Sequence, residues 1–216
     1  MRCAARLASP SGLSSLTTTP QQTSLQARFE TSFSTQSART GHSHRRQNSN
    51  ELGRSDFAVT ERMPNYFAYG SNMSHDQMRA RCPSHKFICA AELTGYKLAF
   101  TRYSRKRDCG VADVVPAPGQ SLWGAVFEVS GEDLAALDRH EGTHLSPPAY
   151  VRAQVRVAAA DGCSLDAITY EVLDKAASEH APSVEYLRLI LDGARKWDLP
   201  QAYREALRRF EGQSER

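Results

Sequence analysis

One short segment of the sequence, Tyr69-Gly70-Ser71-Asn72, has the composition of an anion-binding turn. An apolar run ends at the glycine, and the next helix is expected to begin close behind it, at Ser74. Successive backbone N–H groups in such a turn form a nest for a carboxylate or a developing oxyanion, and a helix start adds the positive end of its dipole. An ordinary strand-to-helix turn has the same residues, so this segment alone does not decide between the two interpretations.

A carboxylate that could move protons is found in a second segment, at Glu141. Leu134 and Leu137 have helical spacing and predict a buried stripe, and Glu141 follows Leu137 by one turn, on the inward side. Burial at a helix C-terminus disfavours a charged carboxylate and raises its pKa, which suits general acid–base catalysis near neutral pH. The alternative is a surface glutamate beside Arg139 and His140.

The elements that would position these segments are short strands and helices. Apolar and alternating runs predict strands over Tyr66–Tyr69, Phe87–Leu93, Tyr96–Thr101, Val111–Val115, Leu122–Val129, Tyr150–Ala158 and Leu165–Leu173. Helices are predicted from Ser74 to before Pro83, over Gly131–Asp138, over Val184–Lys196 and over Gln201–Phe210.

Ser74 and Gln77 have the spacing of a capping box, with the Gln77 side chain reaching back to the N-cap.

The connections between these elements indicate the fold class. Most strands are joined by turns rather than by crossover helices, and no Gly-x-Gly-x-x-Gly motif is present. The sequence therefore predicts an α+β fold, with a mixed, largely antiparallel sheet that is curled or closed into a small β-barrel and flanked by helices.

The anion-binding turn at Tyr69–Asn72, followed later in the chain by the helix that ends in Glu141, resembles the pattern of the γ-glutamylcyclotransferase family. The resemblance begins with Tyr-Phe-Ala-Tyr-Gly-Ser-Asn-Met at 66–73 and continues with Leu137-Asp138-x-x-Glu141-Gly142 and then Tyr150. Segments 122–127 and 166–170 resemble two of the family's strands, so that the similarity runs from about Asn65 to Phe210. It implies a compact β-barrel with flanking helices, no metal and no organic cofactor.

The resemblance also implies a reaction, the cyclisation of a γ-glutamyl amide to 5-oxoproline with release of the amine. The substrate's own α-amine attacks the γ-carbonyl, and such intramolecular attack can exploit an effective molarity of about 10⁵ M or more, so that no enzyme nucleophile is needed. Glu141 would carry protons from the attacking to the departing nitrogen. Substrate-binding roles are implied for Tyr69, Gly70, Ser71, Asn72, Tyr150 and Tyr170, the last two as pocket walls or hydroxyl donors, with core aromatics as the alternative.

The leaving amine is less well defined by the sequence. Segment 143–149 looks longer than in the animal enzymes and is expected to border the leaving-group side of the pocket. Tyr-Gly-Ser-Asn also differs from the Tyr-Gly-Ser-Leu of glutathione-specific relatives, which disfavours glutathione as the main substrate. Two alternatives remain: a γ-glutamylamine cyclotransferase acting on crosslinks or acylated small molecules, and a non-catalytic binding module. The basic segment Arg102–Arg107 is interpreted as a solvated hairpin tip that could still steer an anionic substrate.

Charge divides the chain into two regions. Residues 1–62 carry eight arginines and four acids, whereas residues 63–216 carry 19 basic and 20 acidic residues, so the basic excess gives no support for a nucleic-acid partner. The first region is rich in Ser, Thr and Arg and is predicted to be a disordered extension, with an organellar presequence as the alternative. The second is the predicted γ-glutamylcyclotransferase-like domain.

The remaining expectations concern the setting of the protein. Five scattered cysteines without a Cys-x-x-Cys pair argue against a disulfide framework, and no run approaches the ~20 apolar residues of a membrane span. We therefore expect a cytoplasmic protein, or a mitochondrial one if residues 1–62 act as a presequence. Its partner would be a small-molecule γ-glutamyl substrate, with neither nucleic acid nor membrane involved, and a homodimer is left open.

Overall fold

Five strands close into a barrel in the computed structural model, which describes residues 63–214. In chain order they are β1 (Asn65–Ala68), β2 (Lys86–Ser104), β3 (Cys109–Glu128), β4 (Tyr150–Ala159) and β5 (Ser164–Val172). Around the barrel the order is β1-β3-β2-β4-β5, and β5 closes onto β1 with Tyr66 opposite Ile168. Only that closing pair is parallel, which confirms the predicted mixed, largely antiparallel barrel.

Strands β2 and β3 form one long hairpin of 19 and 20 residues. The prediction of four shorter strands here is wrong. Gly95, at φ +83°, and Gly119, at φ +80°, fall between the predicted strands, but both lie inside the long strands. The pairing shifts register near Gly95, between Thr94 and Tyr96. Such irregularities bend a strand without ending it, which allows two long strands to follow the curvature of a barrel.

Helices flank the barrel. They are α1 (His75–Arg81), α2 (Gly131–Glu141), α3 (Val184–Lys196), α4 (Gln201–Leu207) and α5 (Glu211–Ser214), with 3₁₀ turns at Ser71–Met73 and Arg208–Phe210. The predicted helix over Gln201–Phe210 is therefore interrupted at Leu207, and α2 runs three residues beyond its predicted end at Asp138.

Capping differs from the sequence prediction in one respect. Ser74 is the N-cap of α1, as predicted, but the Gln77 side chain does not reach back to it and instead bonds Ser71 and Asn72. A full capping box lies at the start of α2, where Ser130 and Asp133 bond each other's backbone N–H groups. That box fixes where α2 begins, and Gly142, at φ +70°, fixes where it ends.

Helix α3 holds the 3₁₀ turn in place against the barrel. Tyr186, Leu187, Ile190 and Ala194 form its buried stripe. At Gly193 a Cβ atom would lie 2.4 Å from Cβ of Met73, so glycine is needed for the helix to approach the turn this closely.

The predictions about residues 1–62 (a disordered extension, a presequence and the localisation that follows from it) lie outside the described residues. In the described range, 63–214, no helix combines the length and the apolar character that crossing a bilayer requires.

Candidate active site

A small pocket opens where β1 ends, between the 3₁₀ turn, the end of α2 and the barrel strands. It is lined by Tyr66, Tyr69, Gly70, Ser71, Asn72, Ala112, Glu141, Tyr150, Tyr170 and Tyr186. All seven residues that the sequence singled out are therefore brought together, although Glu141 is separated from Asn72 by 69 positions. We call this cavity the inner pocket.

The turn after β1 supplies backbone donors to the inner pocket. Met73 N–H bonds the Gly70 carbonyl at 3.0 Å, and this bond shapes the turn. The N–H groups of Gly70, Ser71 and Asn72 donate to no other residue within 63–214. At Gly70 a Cβ would lie 2.9 Å from Cβ of Ala112, so the backbone passes closely over β3. These three N–H groups are available to a ligand, and their role as an anion nest stays a prediction.

Glu141 is the last residue of α2, and its side chain is only 17% exposed. Its Oε1 accepts a hydrogen bond from the Asn72 amide at 3.0 Å and lies 3.5 Å from a guanidinium nitrogen of Arg81. Its Oε2 accepts none from the described residues. Burial raises the pKa of Glu141, and the Arg81 charge and the Asn72 bond oppose that rise. The group therefore has the properties of a general acid–base with one oxygen open to a ligand.

The orientation of Asn72 follows from a series of hydrogen bonds. Arg107 donates to Oε1 of Gln77 at 2.9 Å, which leaves Nε2 of Gln77 to donate to Oδ1 of Asn72 at 3.0 Å. Arg81 also donates to that Oδ1, at 2.7 Å. Because a guanidinium can only donate, the oxygen of Asn72 must face Arg81 and its NH₂ must face Glu141 and Tyr66.

Five tyrosines form the walls of the inner pocket. The hydroxyl of Tyr150 donates to the carbonyl of Ala112 at 2.8 Å, and that of Tyr170 donates to Asp138 at 2.8 Å. Tyr69 donates to the carbonyl of Tyr170 at 2.6 Å. Burial raises the pKa of all three phenols, so they stay protonated at neutral pH. Their hydroxyls are engaged by the protein, and of the two roles considered for Tyr150 and Tyr170, the geometry favours the wall.

The end of α2 is held to the barrel by Asp138. Tyr170 donates to its carboxylate, and Arg152 on β4 bonds it through two guanidinium nitrogens, one of them at 2.8 Å. This contact lies one turn before Glu141, and therefore fixes the part of the helix that carries the catalytic candidate.

A second, larger cavity adjoins the first, and we call it the outer pocket. The two share Ser71, Glu141, Tyr150 and Tyr186. The outer pocket is bounded by the tip of the β2–β3 hairpin and by segment 143–149, whose Ala149 N–H bonds the Gly142 carbonyl at 3.1 Å and closes the segment at its base.

The interpretation of Arg102–Arg107 as a solvated tip fits Arg105 and Lys106, which are exposed, whereas Arg102 and Arg107 are partly buried. Arg102, Lys106 and Arg107 line the outer pocket, and Arg105 does not. The tip turns inward because the long hairpin curves with the barrel toward α2, which the sequence did not indicate.

Sequence reasoning missed Tyr66, Gln77, Arg81 and Tyr186 as parts of the site. The helical spacing of Gln77 and Arg81 was a usable signal, because residues four apart on α1 share a face. Tyr186 had none, since it reaches the pocket from α3 near the end of the chain. No group of three or more His, Cys, Asp or Glu within 63–214 is arranged to hold a metal ion.

Comparisons with known proteins agree with the geometry. The AIG2-like family matches residues 121–207. γ-Glutamylcyclotransferases from Mus musculus and Homo sapiens are 31% and 33% identical to this chain over 150 residues, which are 68% of this chain and 78% of each relative. A solved structure of a γ-glutamyl cyclotransferase is 32% identical, with a TM-score of 0.63, and covers 67% of this chain and 86% of its own. The resemblance seen in the sequence is thus confirmed, and the chain belongs to the γ-glutamylcyclotransferase family of enzymes.

Proposed function

We propose that Glu141 is the group through which this chain converts a γ-glutamyl amide into 5-oxoproline and a free amine. One observation carries the proposal: a mostly buried carboxylate with a free Oε2 shares a small pocket with three backbone N–H groups that have no partner among the described residues. The carboxylate can move protons, and the N–H groups can hold negative charge.

The substrate is positioned before it reacts. The N–H groups of Gly70, Ser71 and Asn72 donate hydrogen bonds to the substrate's α-carboxylate, or to the oxyanion that forms during attack. The tyrosine walls leave the flexible γ-glutamyl chain few conformations other than the folded one. Holding the α-amine against the γ-carbonyl in this way removes much of the entropic barrier to ring closure.

Glu141 then transfers protons in both halves of the reaction. The ionised carboxylate removes a proton from the α-amine as its nitrogen forms a bond to the γ-carbonyl carbon. The same proton passes to the amide nitrogen as the carbon–nitrogen bond to the leaving group breaks. The products are 5-oxoproline and the amine, and neither water nor an enzyme nucleophile is consumed.

The raised pKa of Glu141 serves this double role. A carboxylate with an ordinary pKa is a weak base toward an amine, whereas partial burial makes it more basic. Arg81, at 3.5 Å, opposes the rise and so favours the ionised form that the first proton transfer requires.

The purified chain incubated with γ-glutamyl-alanine tests the proposal, with 5-oxoproline measured by chromatography. We expect release by the wild type and a loss of about 10²- to 10⁴-fold in kcat for Glu141→Gln. Glu132→Gln, an exposed position in the first turn of the same helix, is the matched control and should keep its rate. Full turnover by Glu141→Gln would contradict the mechanism. Thermal stabilisation by the substrate without any turnover by the wild type would favour the non-catalytic binding module.

The same assay with a panel of amides addresses the leaving group. Asn72, whose amide donates to Glu141, stands where glutathione-specific relatives have leucine, and this supports γ-glutamyl amino acids over glutathione as the main substrates. A lower kcat/KM for glutathione than for γ-glutamyl-alanine is the expected result.

A further inference from the structure

Almost all of the charged residues that line the outer pocket are cations. Its cations come from the end of α1, from the β2–β3 hairpin and from the end of α2, and they are Arg81, Arg102, Lys106, Arg107 and Arg139. His140 and His144 lie among them. The one carboxylate among the lining residues is Glu141, at the boundary with the inner pocket. A cleft lined in this way concentrates positive potential and attracts anions.

Three of these cations have no countercharge of their own. Arg81 lies against Glu141 and Asn72, and Arg107 bonds Gln77 and lies over the ring of Tyr186. The side chains of Arg102, Lys106 and Arg139, by contrast, form neither a hydrogen bond nor an ion pair with any residue of 63–214. The positive charge that is left over therefore amounts to more than one unit.

The unpaired cations face a common space. Partial burial lowers the pKa of His140, and the charges of Arg81, Lys106 and Arg139 lower it further. Lys106 belongs to the hairpin and Arg139 to α2, so both walls of the outer pocket act on the same imidazole. A ligand between the walls would be within reach of both.

The position of the outer pocket identifies which part of a substrate would enter it. This step rests on the proposed function, in which the γ-glutamyl group fills the inner pocket. Glu141 and Tyr150 line both cavities, so the amide nitrogen beside Glu141 lies at the boundary between them. The leaving amine then extends outward, toward Arg102, Lys106 and Arg139.

We propose that the outer pocket binds a second anionic group on the leaving amine, in addition to the α-carboxylate of a simple amino acid. A single α-carboxylate on the leaving amine neutralises only part of the positive charge of the outer pocket. A leaving amine with two negative charges can contact the cations of both walls. The favoured substrates are therefore γ-glutamyl amides whose leaving amine is itself acidic, such as an amino acid with a second carboxylate.

Two substrates of nearly identical shape test this preference. γ-Glutamyl-glutamate and γ-glutamyl-glutamine differ by one negative charge at the far end of the leaving amine. With the wild-type chain we expect kcat/KM for the first to exceed that for the second by about tenfold, which is the effect expected of a partly solvated, charge-assisted contact. Equal values for the two substrates would overturn the proposal.

Variants of the outer pocket test whether its cations cause the preference for the acidic substrate. The triple variant Arg102→Gln, Lys106→Gln, Arg139→Gln should bring the ratio of the two kcat/KM values close to one, through a loss for the acidic substrate. Arg105→Gln is the matched control, because it removes an exposed charge of the same hairpin that does not line the pocket, and it should keep the full ratio. If the triple variant does not fold, the exposed single variants Lys106→Gln and Arg139→Gln should each reduce the ratio. An unchanged ratio in folded variants would contradict the assignment.

Failure of this proposal and failure of the proposed function give different results. If the wild type turns over both substrates equally, the proposed function stands and the outer-pocket assignment is wrong. If it turns over neither, the proposed function is wrong, and calorimetric binding of the two compounds to Glu141→Gln still measures the preference. Tighter binding of γ-glutamyl-glutamate would then support the outer pocket as an anion site, and equal binding or none would overturn it.

Discussion

Two mostly buried carboxylates, Asp113 and Glu141, lie in regions that differ in how many hydrogen bonds they donate to a negative charge. Asp113 is fully buried, and both of its oxygens are saturated. Its donors are the Thr101 hydroxyl at 2.6 Å, the backbone N–H groups of Val114 and Val172 at 2.8 and 2.9 Å, and the Lys175 ammonium at 2.9 and 3.1 Å. Within residues 63–214, Glu141 accepts one hydrogen bond, from Asn72, and has a cation 3.5 Å away, both on the same oxygen.

This difference distinguishes a carboxylate with a structural role from one that is available for catalysis. The bonds to Asp113 join β3 to the ends of β2 and β5, so its charge is neutralised by the groups that it holds together. Glu141 keeps an oxygen free, which leaves part of its desolvation uncompensated and makes it available to a substrate. A carboxylate that is incompletely satisfied at a pocket is therefore the one expected to react.

Removal of the saturated carboxylate should give the largest loss of stability. Asp113→Ala removes the acceptor of the Thr101 hydroxyl and of two backbone N–H groups, and it leaves the buried Lys175 ammonium with the Val172 carbonyl and the Glu171 carboxylate. We expect the free energy of unfolding to fall by about 3–5 kcal/mol. Urea denaturation measures this, with the exposed neighbour Asp174→Ala as a control that changes by less than about 0.5 kcal/mol. An Asp113→Ala midpoint equal to that of the control would refute the structural role.

Loss of the single donor to Glu141 should act on rate more than on stability. Asn72→Ala leaves the nest of backbone N–H groups in place but frees the carboxylate to rotate, so we expect kcat to fall by about 10²-fold with a smaller change in KM. Asn65→Ala, which removes an amide that bonds the backbone of Asp166 and does not line either pocket, should keep its kcat. A rise in KM alone would instead assign Asn72 to ground-state binding.

The smallest effect in this series is a shift in pH dependence. Since the Arg81 charge lowers the pKa of Glu141, Arg81→Gln should raise that pKa further. The carboxylate must be ionised to accept the first proton, so the acidic limb of the kcat/KM profile should move to higher pH. Arg79→Gln, an exposed charge on the same helix, should leave the limb in place. A shift to lower pH would show that the limb belongs to another group.

The two chemical segments could be found from the sequence because their signals are local. Gly70 and the small polar residues after it mark a turn, and Leu137 with Glu141 marks a helix face. The family resemblance then joined them across the intervening strands. Each of these two signals depends on a few residues that are neighbours in the sequence and stay neighbours in the folded barrel.

The rest of the site depends on contacts that arise only when the barrel closes. Arg107 meets Gln77 across 30 positions, and Tyr186 meets the backbone of Ala112 across 74. The saturated cluster around Asp113 likewise draws on three strands, and no spacing in the sequence identifies it. The strand that contains Gly95 was predicted as two strands because, in the sequence, a glycine looks the same whether a strand bends or ends there.

One paired measurement tests the central claim most directly: unfolding free energy and 5-oxoproline release for Glu141→Gln and Asp113→Asn, side by side. Burial raises the pKa of Glu141 in the folded chain, so its ionised form costs stability at neutral pH, and Glu141→Gln should unfold at an equal or higher urea concentration while losing activity. Asp113→Asn should lose stability, because an amide cannot match the ammonium of Lys175. A Glu141→Gln chain that keeps its activity, or that unfolds as readily as Asp113→Asn, would contradict the account.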